Sequence, residues 1–180
     1  MVGLEKDYIY IKNVLNENEL SFLNKYVALK HHTNHSCFDD EQTALGETSF
    51  YGDPVMEIML DDKLKLFQEH LKQELFPTYS FWRCYTKFSD LEKHTDRPAC
   101  EITVSVNLAG CGTEWPLFIN GTPIEIKKGD GVLYFGAKTE HWREEFKGDW
   151  QAQVFLHYVL KNGEHKTNIF DGRKGLGFSN

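Results

Sequence analysis

Residues 91–108 read LEKHTDRPACEITVSVNL, an ionisable pair, His94 and Asp96, standing directly in front of a run that alternates apolar and polar residues. Ile102, Val104, Val106 and Leu108 fall on one face of that run and Thr103, Ser105 and Asn107 on the other, the period of two that a β-strand imposes on its side chains. The same period recurs on both sides. In SFWRCYTKF, Phe81, Arg83, Tyr85 and Lys87 alternate with Trp82, Cys84 and Thr86. WPLFING, TPIEIKKGDGVLYFG with a turn at Gly129-Asp130-Gly131, and WQAQVFLHYVL extend the series of short strands.

Upstream the period is helical. Asn16 caps a helix expected over about Glu17 to Lys30, with Leu20, Phe22, Leu23, Tyr26 and Leu29 at helical spacing. Asp53 and Pro54 start a second, whose stripe of Val55, Met56, Met59, Leu60, Leu64, Phe67, Leu71 and Leu75 runs to Pro77 with a break near Asp61-Asp62. Between them HHTNHSCFDDEQTALGETSFYG is polar and irregular and reads as a surface loop. Helices first and antiparallel-type strands afterward predict an α+β protein whose strands curl into a sandwich or barrel backed by the helices. The 180 residues are expected to form one domain: 1–78 mainly supporting helices, 79–162 the β core, 163–180 a C-terminal tail.

Composition narrows the function. Thirteen Phe, eight Tyr and four Trp exclude a disordered chain and supply bulk for a core. A formal charge of -7, without a dense Lys/Arg cluster, argues against nucleic acid as a partner. Glu5, Lys6 and Asp7 interrupt the place where a signal peptide needs an apolar run, and no apolar stretch reaches membrane-spanning length, so a soluble, cytoplasmic protein is expected. Cys37, Cys84, Cys100 and Cys111 lack CxxC spacing and are expected as reduced, mostly buried thiols.

In an HxD the imidazole and the carboxylate flank one residue and can reach one cation. With a distant second His they make a facial triad of two His and one carboxylate, which leaves coordination positions open for Fe(II) chemistry. His141, in KTEHWREEF, is the candidate third ligand. Taken singly, each residue has a plainer reading: eight His make an HxD an ordinary coincidence, and His141 alone is a charged-loop histidine. His31, His32 and His35 look like a metal cluster but have no acidic or Cys ligand in register, so they too read as loop. Trp115, Trp142 and Trp150 read as core and rim packing, and His157 as a satisfied core histidine.

The order of HTD, long alternating strand, KKGDGVLYFG turn and strand, His141 and final strand QAQVFLHYV resembles the Fe(II)/2-oxoglutarate-dependent dioxygenases, most closely their small prolyl-hydroxylase-like branch, over roughly Phe81 to Leu160. The resemblance implies a double-stranded β-helix core (jelly-roll, cupin-like) with His94, Asp96 and His141 as iron ligands and 2-oxoglutarate and O2 as cosubstrates. It further implies hydroxylation of a C–H bond with release of succinate and CO2, and contact of Tyr85 with the cosubstrate. One departure stands out. The family commonly carries an Arg or Lys on the last strand for the far carboxylate of 2-oxoglutarate, whereas this region reads GDWQAQVF. A carboxylate in a low-dielectric barrel needs a cation, so another residue supplies it or 2-oxoglutarate is not the cosubstrate. Arg143, two residues after His141 on an extended segment, points to the same side and is the first candidate, with an ion pair to Glu140, Glu144 or Glu145 as its plainer use. Gln153 would add a neutral hydrogen bond, and Arg83, Arg97 and Lys87 are weaker candidates. Arg97-Pro98 serves equally well to fix the loop after the HxD. A peptidyl-prolyl or other protein side chain and a small molecule are both open as substrates, as is the oligomeric state. Two other classes also fit the residues: a cupin-like metal protein that uses the triad without 2-oxoglutarate, and a metal-free jelly-roll binding module in which the HTD is a turn.

Overall fold

The structure is a computed structural model that describes residues 7–33 and 47–178. Ten strands among those residues make two antiparallel sheets. They are β1 (Tyr8–Ile11), β2 (Thr48–Tyr51), β3 (Leu75–Thr86), β4 (Leu91–His94), β5 (Ile102–Gly110), β6 (Leu117–Ile119), β7 (Thr122–Ile124), β8 (Gly131–Tyr134), β9 (His141–Arg143) and β10 (Trp150–Leu160). The larger sheet runs β1-β8-β5-β10-β3-β2 and the smaller β4-β9-β6-β7. With helices α1 (Glu17–Thr33), α2 (Pro54–Asp62) and α3 (Leu64–Leu71), this is an α+β protein with a jelly-roll core.

The alternation decides which face of the large sheet meets what. Val104, Val106, Leu108, Trp82, Cys84, Ala152, Val154 and Leu156 pack in one cluster with Leu23, Val27, Met56, Leu60 and Phe67 of the helices. Each such side chain contributes roughly 1.5–3 kcal/mol on burial, so the helices are held by the apolar face of the sheet. The opposite, more polar set, which includes Thr103, Arg83, Tyr85 and His157, is thereby turned into the space between the sheets.

The ends of the helices follow local chemistry. Asn16 Oδ1 accepts from the N–H groups of Asn18 and Glu19, both at 3.0 Å, while Glu19 Oε2 accepts from Asn16 N–H at 2.8 Å, a reciprocal capping box. Asp53 caps α2 through Val55 N–H at 3.0 Å. The expected break falls at Lys63, between α2 and α3.

Three expectations need correction. The α1 helix continues to Thr33, so His31 and His32 are helical rather than in a loop; His35, Cys37 and Asp39 to Glu41 lie outside the described residues. Thr48–Tyr51, also read as loop, pairs with β3 as an edge strand. The second helical stretch does not reach Pro77: Lys72 turns to φ 56 and closes α3, and Leu75 to Pro77 begin β3. Pro77 lies opposite Tyr158, where the register of β10 shifts, and a missing N–H is tolerated there. The described cysteines agree with the expectation of free, mostly buried thiols: Cys84 and Cys100 are buried and Cys111 is exposed.

Residues 1–78 supply the edge strands β1 and β2 as well as helices. The C-terminal stretch folds back over β3, and Arg173 is buried in an ion pair with Glu57 at 3.1 Å. No described helix is long and apolar enough to cross a membrane.

Candidate active site

β4 ends at His94 and β9 begins at His141, and the two residues are cross-strand partners with ring centroids 4.3 Å apart. Asp96 enters from the loop after β4, fixed by its own N–H, which donates to Gly136 O at 2.9 Å. The Nε2 atoms of His94 and His141 each lie 3.5 Å from Asp96 Oδ1. On the far side of each ring Nδ1 donates to a backbone carbonyl, Glu92 O at 2.7 Å for His94 and Thr139 O at 2.8 Å for His141. A carbonyl only accepts, so Nδ1 carries the hydrogen and Nε2 is the atom each ring can offer to a metal. The three groups offer ligand atoms within 4.8 Å of one another, the donor set of a facial triad.

Electrostatics hold the carboxylate ready. Burial opposes the charge on Asp96, but hydrogen bonds with His141 and His94 outweigh it and keep the carboxyl well below the ordinary carboxylate range. The bond to Asp96 raises His94 in turn, against burial. Protons and a divalent cation therefore compete for the same lone pairs.

The seat of Asp96 depends on an absent side chain. A Cβ on Gly136 would lie 2.2 Å from Asp96 Oδ2, 2.4 Å from Thr103 Oγ1 and 2.7 Å from Cys100 O. Thr103 Oγ1 also hydrogen-bonds Asp96 Oδ2 at 2.9 Å.

The triad opens into a cavity of about 470 Å³ between the sheets, whose wall includes Tyr79, Phe81, Arg83, Tyr85, Tyr134 and His157. Arg143, on the same face of β9 as His141, is wholly buried, lies 4.6 Å from the Trp115 ring and donates through Nη1 to Trp115 O. Its Nε and Nη2 have no hydrogen-bond partner, nor has either amide atom of Gln153. None of its expected glutamate partners engages it; its charge acts on Tyr85 and Tyr134 of the cavity wall. Arg83 is part of that wall and stands opposite Gln153 on the neighbouring strand.

Arg97 stands at the mouth, bound by both guanidinium nitrogens to Asp171 at 2.7 Å. Tyr51 donates to the same carboxylate at 2.5 Å. Asp96, Cys100 and His157 form a second group of ligand-type atoms. Burial pushes the Cys100 thiol up to about 12, and Tyr79 Oη lies 3.0 Å from Cys100 Sγ, so without a metal the thiol stays protonated.

Sequence reasoning missed Gly136, Thr103 and Asp171. Thr103 was visible as the first polar position on the inner face of β5. Gly136 and Asp171 carry no periodic signal, because their roles arise only from tertiary approach.

No family model and no curated protein matches the sequence. Solved structures do match the fold. A viral collagen prolyl hydroxylase of Paramecium bursaria Chlorella virus-1, in complex with 2-oxoglutarate, superposes with TM-score 0.64 at 14% identity, covering 86% of this chain and 96% of that one. A Pseudomonas putida prolyl-4-hydroxylase gives TM-score 0.61 at 11% identity over 87% and 94%. EctD from S. alaskensis gives 0.69 at 16% identity over 86% and 73%. The chain has the fold of 2-oxoglutarate/Fe(II) oxygenases.

Proposed function

We propose that this chain is an Fe(II)- and 2-oxoglutarate-dependent dioxygenase that hydroxylates a C–H bond. The observation that carries the reading is the convergence of His94, Asp96 and His141, with both Nδ1 atoms tied to carbonyls so that both Nε2 atoms face one carboxylate oxygen. The donor set fits ferrous iron: two imidazole nitrogens and one carboxylate on one side, with a cavity on the other. Iron with 2-oxoglutarate and O2 supplies oxidative decarboxylation to succinate and CO2 coupled to insertion of oxygen into a C–H bond.

The remaining residues bind and orient. Arg143 would hold the far carboxylate of 2-oxoglutarate. A buried guanidinium with two unpartnered nitrogens is costly unless an anion completes it, and no residue of the final strand brings a cation to that region. It stands two residues beyond His141, roughly 6.6 Å along an extended strand, which suits the length of a five-carbon diacid. Gln153 and Tyr85 would complete that end with neutral hydrogen bonds. Phe81, Tyr79 and Phe155 line the same cavity and would limit the water that reaches the bound groups. The similarity to prolyl hydroxylases supports a saturated carbon as the target, in a peptide or in a small molecule.

The test is metal-dependent binding of 2-oxoglutarate, by equilibrium dialysis with Mn(II)-loaded protein. Binding that vanishes with EDTA is expected. Metal uptake without 2-oxoglutarate binding would favour the cupin-like reading, and no metal uptake would leave the HTD a turn.

A further inference from the structure

One polar group of the cavity wall has no part in the chemistry above. His157, on β10, is 5% exposed, faces the cavity and lies against Tyr79 with ring centroids 4.5 Å apart. Thr103 Oγ1 stands 2.9 Å from Asp96 Oδ2 and 3.1 Å from His157 Nδ1. A hydroxyl has one hydrogen to give. An ionised Asp96 only accepts, so the 2.9 Å oxygen–oxygen contact takes that hydrogen; Cys100 O, at 3.4 Å, is the weaker claimant. Toward His157 the threonine oxygen must then accept, and Nδ1 carries the proton. A neutral imidazole has a single N–H, so Nε2 is a bare lone pair. Burial depresses His157 to about 4, which keeps the ring neutral. Among the described residues nothing donates to Nε2, and the atom is not sealed from the cavity.

We propose that His157 Nε2 is a substrate-orienting acceptor, locked in tautomer by the metal-ligating carboxylate through Thr103, and that the unit hydroxylated donates an N–H or O–H to it. The substrate clause rests on the dioxygenase reading. It deepens that reading, because a prolyl residue inside a peptide has no N–H. The acceptor therefore selects for a free amine, an amide N–H or an alcohol, and against the ring nitrogen of peptidyl proline. It also links recognition to the metal site: the chain Asp96, Thr103, His157 connects that carboxylate to the acceptor ring in two hydrogen bonds, and the substrate would add a third.

The lock is read directly by ¹⁵N NMR of histidine-labelled, Zn(II)-loaded protein with 2-oxoglutarate, the His157 signals being assigned by their loss in His157→Gln. Protonated Nδ1 and unprotonated Nε2, unchanged between pH 6 and 8, are expected. In Thr103→Val, of the same shape, the signals should move toward the other tautomer. An Nε2–H form in the wild type, or no change in Thr103→Val, overturns the proposal. Acetamide and N,N-dimethylacetamide at high concentration then serve as matched probes with and without a donor. Acetamide alone should shift Nε2, and equal responses, including none from either, overturn the substrate clause. A failed lock in protein that still binds 2-oxoglutarate through its metal sinks only this inference. Absence of metal-dependent 2-oxoglutarate binding sinks the dioxygenase reading, and the substrate clause falls with it.

Discussion

Replacing Gly136 by alanine perturbs the site through one methyl group. Position 136 needs no left-handed backbone, so strain of that kind plays no part and the effect is contact alone. The new Cβ would stand 2.2 Å from Asp96 Oδ2, whereas a carbon and an oxygen settle at about 3.3 Å, so the carboxylate must retreat by about 1 Å. Thr103 Oγ1 and Cys100 O, at 2.4 and 2.7 Å, close the other directions, and the second of these is backbone. Ligand distances in metal sites hold to within about 0.2 Å, so a 1 Å retreat removes Asp96 as an effective ligand. Metal affinity should fall at least 10–100-fold, the loss typical of disturbing even the outer partners of ligands. Overpacking should also cost the metal-free protein about 1–3 kcal/mol. Anaerobic Fe(II) competition titration reads the first effect and calorimetry in EDTA the second. Wild-type metal affinity in a folded Gly136→Ala protein would refute the placement of Asp96.

Arg143→Met should weaken 2-oxoglutarate about 10²-fold or more, as loss of a buried charge-assisted pair costs about 3–5 kcal/mol, while 2-oxovalerate, which lacks the far carboxylate, binds equally to both proteins. An unchanged preference for the diacid would assign the anchor elsewhere, with Arg83 next to test. The metal-free protein should show two opposed pH effects. His94, raised in the fold, contributes stability below about pH 6.5 that is lost as pH rises through its folded value; Asp96, lowered in the fold, contributes above about pH 4 and loses this on acidification. Both contributions coexist between about pH 4 and 6.5, and His94→Gln should remove the alkaline loss from a profile of Tm against pH. Arg173→Met leaves the Glu57 carboxylate, 2% exposed, without its cation and should cost about 3–5 kcal/mol by urea unfolding. A loss below about 1 kcal/mol would show that the N–H groups of Ser80 and Gly177, at 3.0 and 2.7 Å, suffice for Glu57.

The β core was legible because its long strands alternate cleanly and bury one face on helices. Ile102 to Leu108 is the clearest case, since its apolar positions join one cluster with residues of the helices, while Thr103 on the other face lines the cavity. The four-residue edge strands β1 and β2 are too short to show a period, and Leu75 was misleading because it sits four residues beyond Leu71, the helical interval, on a chain already turned at Lys72. The convergence of His94, Asp96 and His141 was foreseeable because residues at strand ends are separated by recognisable strands. Register then makes two of them neighbours. Roles that depend on approach rather than period stayed hidden. Gly136 matters through a methyl it lacks, and Asp171 reaches Arg97 across 74 positions of sequence. The plain reading of His157 as a satisfied core histidine holds for Nδ1 and fails for Nε2.

The central claim is that His94, Asp96 and His141 hold iron so that 2-oxoglutarate can chelate it. A 2-oxoacid chelated to Fe(II) gives a weak visible charge-transfer band, measured anaerobically by adding 2-oxoglutarate to the iron-loaded protein. The account predicts the band in the wild type and its loss in His141→Ala. A wild type that binds iron without developing the band, or a band that survives in His141→Ala, would contradict it.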